Sequence, residues 1–127
     1  RRAPSDPYDF ERLCAEWISW FGALRVRVTP PGGDEGIDVH AENLIAQAKC
    51  YNESNKVGVD EIQRLAGIKD GTKVTNAFFF TTSSYTKGAI KWASLTGIEL
   101  FRFDFHLLGF VGVTGNASAY CRGEIRL

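Results

Sequence analysis

The segment Val74 to Thr82 holds four apolar residues in a row, Ala77-Phe78-Phe79-Phe80. A strand with one wet face alternates apolar and polar side chains, because successive residues point to opposite faces. An unbroken apolar run of this length is typical of a strand covered on both faces. A chain carrying it has to lay structure on each side of a sheet, and the other segments supply that cover. Phe10, Leu13, Cys14, Trp17, Ile18 and Phe21 recur at helical spacing, giving an amphipathic helix. Ser5 or Asp6 with Pro7 starts it, and Gly22 stops it. Ile62, Leu65, Ala66 and Ile68 predict a second helix over 60–69, ended near Gly71. Ala89, Ile90, Ala93 and Leu95 predict a third, up to Gly97.

Strands fill the gaps. Leu24, Val26 and Val28 alternate with Arg25 and Arg27, a half-buried strand that Pro30-Pro31-Gly32-Gly33 ends. A strand around Asp38, a turn at Glu42-Asn43 and a strand over 44–50 follow, then a polar loop from Tyr51 to Lys56. Ile98 to Phe103 reads as the last strand. Hairpin connections come first and helical crossovers later, which implies an α/β fold of three layers with a mixed central sheet flanked by helices. Over 105–127 the pattern is weak. His106-Leu107-Leu108 is read as the start of a short helix, and the Gly-Val-Thr-Gly-Asn run as loop.

With 127 residues, 44% of them apolar, the chain suits one domain with a sizeable core. Arg1-Arg2-Ala3-Pro4-Ser5-Asp6-Pro7 reads as a linker remnant, residues 1–7, and residues 8–127 as one domain of a longer protein. Fifteen basic and fifteen acidic residues cancel, so any grip on nucleic acid has to come from a local patch or another domain. No apolar run is long enough to span a membrane, and a cytoplasmic location is expected. Three Cys and two His without metal-ligand spacing make zinc a poor expectation, and free thiols a better one than a Cys50–Cys121 disulfide.

The chemistry gathers around the hairpin. Asp38 breaks the strand preference of its neighbours Ile37 and Val39. Gln47 and Lys49 share one strand face, and Asp38 joins them if the hairpin pairs as the pattern suggests. An acid, an amide oxygen, the backbone carbonyl of Ala48 and a lysine can hold magnesium against a phosphodiester. Lys49 then orients the attacking water or steadies the growing negative charge. With Gln in place of a carboxylate, the site is short of negative charge. Glu11, at the edge of the first helix's apolar stripe, is the preferred second acid over Glu16, which turns towards solvent. Asp34 and Glu35 read as turn formers, and His40 as a surface residue.

These residues make the chain resemble the catalytic domain of the Mrr-like restriction endonucleases, within the PD-(D/E)xK nucleases. The resemblance rests on Phe10-Glu11, Gly33-Asp34-Glu35-Gly36-Ile37-Asp38-Val39, Gln47-Ala48-Lys49, Leu65-Ala66-Gly67, and Phe80-Thr81-Thr82-Ser83-Ser84-Tyr85-Thr86 running into Ala89. It covers about residues 8–104 and implies a restriction-endonuclease-like sheet of four or five strands. It also implies magnesium-dependent cleavage of double-stranded DNA and a separate DNA-recognition domain. The subgroup uses QxK, so Gln47 is no departure. Carried over, Glu11 is the helix acid, Asp38 the metal acid, and Gln47 and Lys49 the QxK pair.

The expectation is a metal-dependent DNA endonuclease for restriction or defence against foreign or modified DNA, using Mg2+ with Mn2+ as a substitute. Cutting both strands needs two sites, hence a homodimer or larger assembly. A catalytically silent nucleic-acid-binding module and a junction-resolvase-like nuclease are the alternatives. Thr82 and Ser83, with Lys87 and Lys91 nearby, suit a phosphate contact at a helix start, and equally an ordinary capped turn. Lys56, Arg64, Lys69 and Lys73 suit either a DNA-facing rim or a solvated charged face.

Overall fold

A computed structural model of the chain describes residues 2–30 and 36–127. The expected turn formers Asp34 and Glu35 lie outside the described residues. The elements run α1 (Pro7–Trp20), β1 (Arg27–Val28), β2 (Val39–Ala41), β3 (Leu44–Lys49), α2 (Val59–Thr72), β4 (Asn76–Thr81), α3 (Lys87–Thr96), β5 (Ile98–Asp104), β6 (Gly109–Gly112) and α4 (Gly115–Cys121). The strands form one six-stranded sheet in chain order. β1, β2 and β3 pair antiparallel, β3, β4 and β5 parallel, and β5 and β6 antiparallel. The mixed sheet is thus as expected, with six strands rather than four or five.

Strand parity sorts the core into two halves. Val39, Leu44, Ala46, Ala48, Phe78, Phe80, Phe101 and Phe103 pack against α1 and α4. Ile45, Ala77, Phe79, Ile98 and Leu100 pack against α2 and α3. Phe78, Phe79 and Phe80 are all buried, which is why that run never alternates. The aromatic half is a continuous ring stack, with Phe80 lying on Phe101 at 4.6 Å and 13° between planes. Asp6 caps α1 by accepting from Asp9 N–H at 2.7 Å, with Pro7 in the first turn. At its other end, α3 stops where Gly97 turns left-handed, φ 73°.

Several expectations need correction. The strand over Leu24–Val28 shrinks to two residues, because Arg25 sits in the left-handed region (φ 57°) and Leu24 is exposed. α2 runs through Gly71 and ends only where Lys73 turns left-handed, φ 59°. The tail is not a short helix followed by loop. His106-Leu107 is the hairpin turn into β6, and Gly115–Cys121 is α4, packed back on the sheet. β6 was hidden by its two glycines, of which Gly112 is required by contact: a Cβ there would overlap the Ala117–Ser118 backbone of α4. All three cysteines are free. No helix among the described residues is long and apolar enough to cross a membrane.

Candidate active site

The site lies where the β2–β3 ladder ends. Val39 pairs with Ala46, and Asp38 stands one residue beyond the strand. Its N–H still donates to Ala46 O at 3.0 Å, while its carbonyl accepts from Thr29 N–H at 2.8 Å. The next ladder donor, Ala48 N–H, therefore goes to the Asp38 side chain, Oδ2, at 2.7 Å. The carboxylate lies in the plane of the sheet rather than on the face that strand alternation assigns to it. From there it is reachable from both layers.

Glu11 arrives from the α1 side. Its neighbours Phe10, Leu13 and Cys14 are buried in the core, which fixes the helix face. Its carboxyl is hydrogen-bonded to that of Asp38 and lies within the field of Lys49. Glu16 instead pairs with Arg2 at 3.1 Å, with its side chain 61% exposed.

Two carboxyls in contact cannot both ionise freely. Burial raises the Glu11 carboxyl first, and the Asp38 charge and hydrogen bond raise it further, from the ordinary 4.5 to about 7 against the opposing Lys49 cation. Burial also raises Asp38, but the Ala48 N–H, the Glu11 bond and Lys49 all favour its ionised form. The shared proton accordingly sits on Glu11. Cys14, fully buried beneath the pair, has its thiol pushed well up by burial.

Gln47 is almost fully buried on the α2–α3 side, and Lys49, at the end of β3, is half-buried. Ala46 O and Ala48 N–H both point towards β2. A residue in an antiparallel ladder turns its N–H and C=O to the same side, so the Ala48 carbonyl also faces the Asp38 end. Two carboxyls, an amide and a strand carbonyl are all oxygen donors, the set a hard divalent cation such as magnesium takes. A carboxyl pair that shares a proton even beside the Lys49 cation fits such an ion, which would take the proton's place.

The sequence allows Arg64 either a DNA-facing rim or a solvated charged face. It is exposed on α2, yet its guanidinium lies over Gly36, and a methyl group added there would run into it while coming within 3.4 Å of Gln47 Nε2. Gly36 has φ +85°, so glycine is favoured on both counts. No sequence signal links Arg64 to Gln47, since α2 folds back over the site only in three dimensions.

Thr82 and Ser83 are buried. Thr82 Oγ1 donates to Tyr51 O at 2.6 Å, and Ser83 Oγ meets Thr81 Oγ1 at 3.1 Å. Thr81 Oγ1 and Thr82 N–H both donate to Lys49 O, at 2.9 and 3.3 Å. These hydroxyls brace the end of β3 that carries Lys49. Lys87 and Lys91 are exposed on α3, whose N-cap is Thr86.

Two solved structures share the fold. One is the crystal structure of a protein of unknown function, AF1548, at a TM-score of 0.65 and 19% identity, over 79% of this chain and 60% of that one. The other is the DNA modification-dependent restriction endonuclease AspBHI, at 0.54 and 22% identity, over 93% of this chain and 32% of that one. The chain therefore spans less than two thirds of either protein. Among curated proteins none matches it. Residues 3–104 match the restriction endonuclease family in its Mrr catalytic-domain form, so with Glu11, Asp38, Gln47 and Lys49 all inside the match, the chain belongs to that family.

Proposed function

We propose that the chain is a divalent-metal-dependent DNA endonuclease domain acting in restriction of foreign or modified DNA. The observation that carries this reading is the carboxyl pair of Glu11 and Asp38, closed on itself beside Lys49 at the open end of a strand pair. Asp38, Gln47 and the Ala48 carbonyl, with Glu11, would hold the ion. Bound there, magnesium supplies charge neutralisation at the phosphoryl oxygens and lowers the energy of deprotonating water. The chain's own residues do the rest. Ala48 N–H fixes Asp38, so the acid needs no reorganisation when DNA arrives. Lys49, pinned through its carbonyl by Thr81 and Thr82, sets its ammonium beside the reacting phosphate. Arg64 can add a second cation from the α2 side.

A separate DNA-reading domain belongs to this reading, as does a pair of catalytic domains, one for each strand. AspBHI is modification-dependent and far longer than this chain, which favours modified DNA as substrate. The test is cleavage of unmodified, methylated and branched DNA, with and without magnesium, by the wild type and by Asp38→Ala and Lys49→Ala. Metal-dependent cutting lost in both variants is the expected result. Full activity in Asp38→Ala would sink the assignment. Binding without cutting in any metal would mark a silent module, and cutting of branched DNA alone a resolvase-like enzyme.

A further inference from the structure

Beyond Lys49 the strand ends of β3, β4 and β5 open onto two cavities, of about 450 and 430 Å³. Phe105, Glu53 and Thr82 line both. One cavity reaches Cys50 and Tyr51, the two residues after Lys49; the other reaches Arg102 and His106. Tyr51 is two residues on from Lys49, about 7 Å along an extended chain, or about two base steps of a duplex.

Phe105 is 54% exposed and lines both cavities. It is also held in place. Asp104 Oδ1 accepts from His106 N–H and Leu107 N–H, both at 2.9 Å, fixing the hairpin turn. The ring stands edge-on to Phe103, with centroids 4.9 Å apart and planes at 76°. The chemistry around it is wrong for phosphate. Asp104 faces Arg102 at 3.9 Å, so the cation in the cavity already has an acid against it, and Glu53 adds another carboxylate. An aromatic face beside a carboxylate suits a nucleobase instead. The ring stacks on the base, and the acid accepts from an exocyclic amino group such as cytosine N4.

We propose that the cavities flanking Phe105 bind an unstacked nucleobase of the strand lying on the site, with Glu53 favouring an amino-bearing base. The inference rests on the nuclease reading for the presence of DNA, but not on cleavage itself. A base reaches Phe105 either from DNA that is already single-stranded or by extrusion from a duplex.

The experiment places 2-aminopurine at one position at a time in a short single strand, and in the same strand as duplex. Fluorescence and affinity are then read with the wild type, Phe105→Ala, Phe105→Trp and Glu53→Gln, with calcium replacing magnesium. The expected result is a change of emission at one position only. Phe105→Ala removes it and weakens binding about tenfold, while Phe105→Trp restores both. Glu53→Gln keeps the stacking signal but loses the preference for cytosine over thymine at that position. A response in duplex as well as single strand identifies extrusion, and one confined to the single strand identifies a melted substrate. Emission and affinity unchanged in Phe105→Ala would overturn the subsite. Plasmid cleavage in magnesium is run alongside. Cutting by the wild type with an unaltered Phe105→Ala signal defeats the subsite alone. No cutting, with the Phe105-dependent signal intact, defeats the nuclease reading alone.

Discussion

Replacing Glu11 with Gln removes the proton shared by the two acids while keeping the shape of the side chain. In the metal-free protein the folded-state value of Glu11 is about 7 against an ordinary 4.5. A carboxyl raised on folding binds its proton more tightly in the native state, so its stabilising effect is complete below 4.5 and is lost as the pH climbs through about 7. At about 1.36 kcal/mol per pH unit that gap corresponds to about 3 kcal/mol before screening. Glu11 is only partly buried, and water screens the pair, so about 1 kcal/mol is the realistic loss. Glu11→Gln cannot ionise and escapes it. Relative to wild type it should gain about 1 kcal/mol on going from pH 5 to pH 8, a Tm difference of about 3–5 °C for a domain of this size. Urea denaturation in chelator at the two pH values measures this. Magnesium at pH 8 should then stabilise the wild type more than the variant, because the ion takes the place of the proton. If wild type and Glu11→Gln keep parallel stabilities from pH 5 to pH 8, the two carboxyls are not in contact and the site is misassembled.

Other consequences follow from the same structure. Gly112→Ala forces a methyl group into the α4 backbone and should cost about 3 kcal/mol or more in urea denaturation; a loss under about 0.5 kcal/mol would mean α4 does not pack there. Tyr85→Phe removes a buried hydroxyl placed 2.9 Å from Phe79 O and 2.7 Å from Phe101 O, which should cost about 1–3 kcal/mol. An unchanged denaturation midpoint would show that those carbonyls need no donor. Arg64→Ala, at an exposed position, should leave stability within about 0.5 kcal/mol of wild type yet slow single-turnover cleavage about tenfold or more. Equal rates would remove Arg64 from the site.

How much of this was legible beforehand differs from element to element. The stripe from Phe10 to Phe21 and the run Ala77 to Phe80 announced themselves, the first by its helical period and the second by an unbroken apolar stretch that only a strand buried on both faces explains. The preference for Glu11 over Glu16 comes from helical angle; Glu11 lies against Asp38, and Glu16 pairs with Arg2. β6 did not announce itself. Gly109 and Gly112 dilute its strand signal, and the reason for Gly112 lies in α4, which follows it in the chain. The strand over Leu24–Val28 looked regular, but one left-handed residue, Arg25, cuts it short. Local propensity carries no information about such a backbone choice.

The sequence by itself determined the layers and singled out the candidate residues of the site, since face alternation and helical spacing are properties of neighbours along the chain. It named Asp38, Gln47 and Lys49 from their spacing and Glu11 from its helix face. Only the tertiary structure decided how they meet. Asp38 leaves the face predicted by alternation and enters the ladder plane, because β2 stops one residue short and Ala48 N–H needs an acceptor. Arg64 over Gly36, and Phe105 lining two cavities beyond Lys49, likewise depend on helix and hairpin folding back across the strand ends. Such encounters are set by packing between segments distant in sequence, and no periodicity within a single segment encodes them.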